Sequence, residues 1–470
     1  MRGRQLEGAM FRLRWCALLV MLGMAQGLDA ASFLVTTTAD SIDTQPGDGQ
    51  CADAEGHCSL RAAIQEANAL AGEDTITLNA GTFLLTQAGT GEDASAHGDL
   101  DVTDTLEIVG AGAAATLIDA GALDRVLDLP AGPPRTLRLG GLALRNGRLS
   151  GPTGTLTGNG GAAIRVAAGA TLLLSHVDIR DNHAVASVAA AAIDNKGCIQ
   201  GDHVRILDNT DSEGAGSGNA ISGGIVIDGA TTCLVLEDSE ISGNRGDLSG
   251  ALYVLGGASV TLRRTLVANN ASRNAGAFEL NVGGDVLLEN VTLSGNAGEP
   301  GAILVDGQTR LLIVNSTITG NHALIGVGTW GAILDMHGGF GRTTLRNTIL
   351  AGNGPGVGAD DCSNATSLGG NLIGSTRGCN LASVPSDQLD VAAGLSPLAD
   401  HGGFSRTHLP GPNAIDHAIA DGCMATDQRG FPRPVDGDGD GSAGCDVGAV
   451  EISIDDTIFV DAFELPMRPA

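Results

Sequence analysis

The chain has 470 residues, 43% of them hydrophobic and 17% charged, which excludes a disordered chain and leaves material for a large core. Glycine stands out at 71 residues but follows no triplet repeat, so a collagen is excluded. A net charge of −28 with a single lysine, Lys196, provides no basic stripe to neutralise phosphates, which argues against nucleic acid as a partner.

Residues 1–30 read as an export signal. Arg2, Arg4, Arg12 and Arg14 precede the apolar run Trp15–Ala25, which is shorter than the roughly 20 residues a spanning helix needs. Small residues from Gly27 to Ala31 offer a cleavage site, and Met10 offers an alternative start with a more compact signal. Cys16 precedes the leucines of the run, which argues against a lipid-modified cysteine. No later segment is long and apolar enough to span a bilayer as a helix, so a secreted or outer-cell-surface protein is expected. The other eight cysteines, Cys51, Cys58, Cys198, Cys233, Cys362, Cys379, Cys423 and Cys445, fall into four sequence-local pairs. None has the doubled C-x-x-C spacing of a zinc site, and an exported chain oxidises its thiols, so disulfides are expected.

Within residues 31–97, the stretch Cys58–Leu70 carries helix signals. Ser59 is placed to cap a helix with Leu60, Ala63, Ile64 and Ala67 on its apolar face, and Arg61, Gln65, Glu66 and Asn68 are expected outside. Asp74–Thr86 then reads as the first coil of a repeat. The phrase CSLRAAIQEA resembles the CSLREA domain of exported bacterial proteins, with Ala62 where that name has glutamate. The resemblance implies an N-terminal cap in which Arg61 and Glu66 are structural or surface residues rather than catalytic ones.

Residues 98–360 repeat. Seven short alternating apolar segments end on asparagine, among them HVRILDN (203–209), DSEISGN (238–244) and NSTITGN (315–321). Their last residues, Asn182, Asn209, Asn244, Asn270, Asn296, Asn321 and Asn353, lie 25 to 35 residues apart, and a phrase such as GGAAIRV or PGAILVD precedes most of them. Each period thus holds two or three short strands with glycine or asparagine corners. Such a period closes no core alone, but stacked at about 4.8 Å it pairs every strand with its neighbours around a continuous interior. Asparagine suits the corners because it tolerates left-handed backbone and can hydrogen-bond to the asparagine of the next coil. A propeller is the rival, but aromatic residues are only 3% of the chain. The expected fold is all-β, a parallel β-helix, and the pattern resembles the right-handed β-helix of the pectate-lyase-like superfamily. Cys198 and Cys233 each lie eleven residues before a corner asparagine and so occupy equivalent places on successive coils. Cα atoms stacked at the sheet spacing fall inside the disulfide range of about 4.4–6.8 Å, and this bond is expected.

Enzymes of that superfamily set a test. NTD (209–211), MHGG (336–339) and ADDC (359–362) superficially match hydrolase motifs whose aspartates flank the scissile bond. The order differs, since Asp360 and Asp361 follow His337, and the later RIK motif is absent. The lyase mechanism that the resemblance implies needs an arginine base beside a calcium-binding carboxylate cluster, and no such constellation is legible in the sequence. No catalytic or cofactor-binding residue is assigned. Tyr253 and Trp330 are candidates for sugar stacking if they share a face three coils apart, the alternative being packing at corners. The histidines show no metal-ligand spacing.

Residues 361–451 include GLSPLADHGGF and CDVGAVE, and resemble the choice-of-anchor Q domain found toward the C-terminus of bacterial surface and secreted proteins. Matching positions include Gly402, Gly403, Asp416, Asp427, Arg429, Gly430, Arg433 and Asp446–Glu451. Between these lies PVDGDGDGSAG, bracketed by Cys423 and Cys445, where Asp436, Asp438 and Asp440 alternate and can turn hard oxygens toward one calcium ion, with Asp446 or Glu451 as a further ligand. Val447 stands where an EF-hand needs a bidentate glutamate, so the alternative is a solvated acidic turn. The tail, residues 452–470, contains IFVDAFE, similar to an IFADGFE-like ending read as a sorting signal. Together these readings point to a secreted or cell-surface β-helix with a structural or adhesive role, the alternative being a lyase or hydrolase of an acidic polysaccharide. Calcium is the one cofactor raised, and a polysaccharide or a cell-surface protein the partner.

Overall fold

The computed structural model describes residues 30–150, 160–185, 190–212, 221–323, 330–336, 342–354 and 360–453. The expected signal segment, the tail from residue 454 and most of the insertion at 210–218 lie outside the described residues.

One coil shows how sequence becomes structure. Ile225–Asp228 leads through a corner at Gly229–Thr232 into Cys233–Glu237, a kink at Asp238–Ser239, and Glu240–Ser242. The kink residue Asp238 has φ 43°, and Arg264, Asn290, Asn315 and Asn347 repeat this left-handed conformation on later coils. Ile225–Asp228 pairs in parallel with Leu252–Leu255 within a ten-stranded sheet, and Cys233–Glu237 with Ser259–Arg263 within a wider sheet of 22 strands. Leu234, Leu236 and Ile241 alternate inward and are fully buried, in a core that runs unbroken from Phe33 to Ile373. Coils continue past residue 360, where Leu372–Ile373 pairs with Gln388–Leu389. Cys198 and Cys233 are register partners with Cα atoms 4.6 Å apart and are bonded. The other disulfides are Cys51–Cys58, Cys362–Cys379 and Cys423–Cys445.

The asparagine ladder forms, with a change of detail. Both N and Nδ2 of Asn182, Asn209, Asn244, Asn270, Asn296 and Asn321 donate to Oδ1 of the next asparagine, at 2.8–3.1 Å. The left-handed residue is the one before each asparagine, including Gly243, Gly295, Gly320 and Gly352. The GN pair therefore divides the work, because glycine accepts the positive φ at no steric cost and asparagine makes the bonds.

The N-terminal helix spans Leu60–Ala69, and Ser59 Oγ accepts from Ala62 N as expected. Its polar face corrects the sequence reading, since Arg61 and Glu66 are fully buried rather than outside. Arg61 donates to Asp40 Oδ1 at 2.6 Å and to the carbonyls of Ser95, Gly98 and Asp99. Glu66 accepts from Gly47 N and Gly49 N. Loops on both sides wrap the helix, so its charged groups meet backbone partners instead of water.

Residues 391–453 do not stack as another coil but run back along the flank of the helix. Asn290, Asn315 and Asn347 each donate Nδ2 to this strap, at Thr426 O (2.9 Å), Gly422 O (2.6 Å) and Ile419 O (3.0 Å). His408 meets Ser294 at 2.9 Å, and Phe404 lies edge-on to His203 and beneath Arg205. At the same kink, earlier coils carry His176, His203, Asp238 and Arg264.

Candidate functional site

The strands of the ten-stranded sheet run from two to six residues, and along most of them one residue that faces away from the core stands between inward-facing neighbours. Register places these middle residues in one column: Asp101, Asp128, Arg165, Asp194, Val226, Tyr253, Glu279, Leu304 and Leu334. Arg165 and Asp194 of the column line a groove with Asp93, Pro130, Ala131, Ala168 and Lys196 on its walls, and Asp101 and Asp128 lie buried beside it. Arg165 forks onto Asp128, with Nε to Oδ1 at 2.7 Å and Nη2 to Oδ2. Arg125 binds Asp99 at 2.8 Å, lies 3.4 Å from Asp128, and donates to the carbonyls of Gly160 and Gly161. Burial, only partly offset by Arg125, pushes the Asp99 carboxyl up to about 6. Burial and then the Asp99 charge push Asp101 up to about 8. Farther along, burial raises Glu279 to about 7 although the Asn274 amide donates to it at 2.7 Å.

Sequence reading missed this arginine and carboxylate constellation because its members come from successive coils that only the strand register brings together. Its signal lies in the triplets Leu100-Asp101-Val102, Leu127-Asp128-Leu129 and Ile164-Arg165-Val166, where a charge sits between buried apolar neighbours. Two histidines escaped as well. His176 and His203 stack at 4.6 Å, and with Asp202 they bring three ligand-type atoms within 4.8 Å of one another. They are 27 residues apart, the same step as Asn182 to Asn209.

In the C-terminal loop, carboxylate oxygens of Asp436 and Asp438 converge within 4.8 Å with one from Asp416, a residue the calcium reading did not include. Asp440 turns to its own loop and accepts from Ser442 N at 2.8 Å. Asp446 is buried elsewhere, accepting from Asp416 N and Ile452 N, with its carboxyl pushed up to about 7 by burial and then by Glu451. Tyr253 and Trp330 lie on strands of the same sheet, but the column of Tyr253 leads to Leu334, and Tyr253 packs beside Val226 and Leu248. Of the hydrolase-like phrases, Asn209 serves the ladder and Asp361 Oδ1 accepts from Asn353 Nδ2 at 2.9 Å, while His337 lies outside the described residues.

Asp211 is buried, with Oδ2 accepting from Ile221 N at 2.6 Å and Oδ1 lacking a partner among the described residues. Burial pushes its carboxyl from 3.8 up to about 8. The fold therefore favours the protonated acid, so this stabilisation is complete below 3.8, declines as pH rises, and is lost above about 8. Asp211→Asn keeps the acceptor without the charge. It is expected to raise stability at about pH 8 by on the order of 3 kcal/mol and to flatten the pH dependence of melting. Parallel melting curves for variant and wild type from about pH 5 to 8 would contradict this.

Residues 223–388 match the family described as "Right handed beta helix region". With the parallel pairing described above, this makes the chain a right-handed parallel β-helix. No curated protein matches the chain. Among solved structures, "Crystal structure of pectate lyase Pel9A" is similar at 11% identity with a TM-score of 0.44, over 91% of this chain and 98% of that one.

Proposed function

We propose that the chain works outside the cytoplasm as a structural and adhesive β-helix whose ten-stranded face contacts an extracellular polymer. The observation that carries this reading is the engagement of Arg165 by Asp128 and of Arg125 by Asp99, which leaves neither guanidinium free to act as a base. The export-like N-terminus, the four disulfides and the resemblances to the CSLREA and choice-of-anchor Q domains support an extracellular setting. Calcium bound at Asp436 and Asp438, with Asp416 in the place first given to Asp440 and Asp446, would stiffen the C-terminal loop rather than catalyse. A second reading, a lyase or hydrolase of an acidic polysaccharide, is favoured by the acidic cluster that adjoins Arg165.

The test is a screen of the mature protein against acidic and neutral polysaccharides, with and without calcium, following binding and the release of reducing or unsaturated ends. Binding without product is expected. Product release would replace the adhesive reading by the enzymatic one, and absence of both would remove polysaccharide as the partner.

A further inference from the structure

We propose that Asp93, Asp101 and Asp128 hold a hard divalent cation, calcium or magnesium, that fastens the 86–99 loop to the first strands of the ten-stranded sheet. The sheet itself creates the need. Asp101 and Asp128 are register partners on adjacent parallel strands, so their carboxylates stand side by side at about the 4.8 Å sheet spacing, an unfavourable pairing of like charges. The loop then adds a third. Glu92 accepts from Ala94 N and His97 N, and Ser95 exchanges hydrogen bonds with Asp101, which fixes the loop where Asp93 faces the pair. One carboxylate oxygen from each of the three aspartates lies within 4.8 Å of the other two.

A second observation points to a ligand. Asp101 has no solvent exposure, and its Oδ1 accepts no hydrogen bond, although Oδ2 accepts from Ser95 N at 2.8 Å. A buried carboxylate oxygen without a partner is costly, and proteins relieve that cost by pairing or by metal coordination. The local cations do not reach it: Arg125 serves Asp99, Asp128 and two carbonyls, and Arg165 serves Asp128 and lies 3.9 Å from Asp93. All three ligands are carboxylates, which selects calcium or magnesium over softer metals, and the exposed Asp93 side admits the waters such ions retain. The site is structural and does not depend on polymer binding.

The test uses the full mature chain, stripped with a chelator, and titrates calcium and magnesium by calorimetry alongside thermal melting and limited proteolysis of the 86–99 loop. Wild type is expected to bind, to melt higher with the ion and to gain protection in the loop. Asp101→Asn removes the repelling charge, so without the ion it should fold and melt no lower than wild type, yet bind at this site about tenfold more weakly or worse and lose the loop protection. Asp438→Asn, in the other acidic loop, should retain both. Absence of binding to wild type, or full loop protection by the ion in Asp101→Asn, would overturn the proposal.

Discussion

Replacing Arg61 by methionine is expected to lower unfolding free energy by about 3–5 kcal/mol, the range for removing one partner of a buried ion pair. The guanidinium binds both oxygens of Asp40, at 2.6 and 3.3 Å, and three backbone carbonyls. Methionine fills the volume but leaves the Asp40 carboxylate, whose side chain is 2% exposed, without a countercharge and with the Thr86 and Gln87 N–H groups as its donors, and it takes the guanidinium donor from the Gly98 and Asp99 carbonyls, while the Ser95 carbonyl keeps the Gln65 amide. Leu60 and Ile64 of the same helix belong to the main core, so loosening Arg61 also uncovers the end of the sheets, where open strand edges invite association. Arg61→Lys should recover only part of the loss, because a point ammonium cannot span a carboxylate and three carbonyls. Chemical denaturation with a probe in the N-terminal region measures this. A loss below about 1 kcal/mol would mean that Arg61 is a surface residue in practice.

How much of this was legible can be followed residue by residue. The period is strong because stacking forces equivalent residues into equivalent environments, so Asn244, Asn270 and Asn296 recur on schedule and Cys198 falls opposite Cys233. Helix periodicity located Leu60–Ala69 but assumed that polar means solvent-facing; whether a second layer covers Arg61 and Glu66 depends on loops that have no period. The acidic cluster was hidden because its members come from different coils and one loop, and only the register brings Asp101 beside Asp128 and Asp128 beside Arg165. The strap left a trace that went unread. The phrases NVTLSGN, NSTITGN and NTILAGN begin with the asparagines that hold it, whereas earlier phrases begin with other residues. Its own path was illegible, since irregular segments joined to the coils across more than 70 residues give no local pattern.

The ladder carries the last expectation, that Asn270→Ala costs about 3–5 kcal/mol although no charge and little apolar surface is removed. Asn270 is fully buried in the ladder interior. Its Oδ1 accepts from Asn244 N and Nδ2, both at 3.0 Å, and its Nδ2 donates to Ile241 O at 2.8 Å and to Asn296 Oδ1 at 3.0 Å. Alanine takes away both functions at once and leaves the Asn244 backbone N–H facing a void, and each such orphan costs about 1–3 kcal/mol. Aspartate separates the two functions. It can still accept from Asn244, but it turns a second acceptor toward Ile241 O and Asn296 Oδ1, so Asn270→Asp should match or exceed the alanine loss at neutral pH and recover in acid as the carboxyl gains a proton to donate. The chain follows the same logic at Asp361, where the ladder ends: Oδ1 accepts from Asn353 N and Nδ2, and Oδ2 accepts from Ser375 N. An acidic side chain suits a position that accepts in each of these bonds, and asparagine is needed where one side chain must accept from one coil and donate to the next. Equal denaturation midpoints for Asn270→Asp and wild type at neutral pH would show that the ladder is geometry without energetic weight.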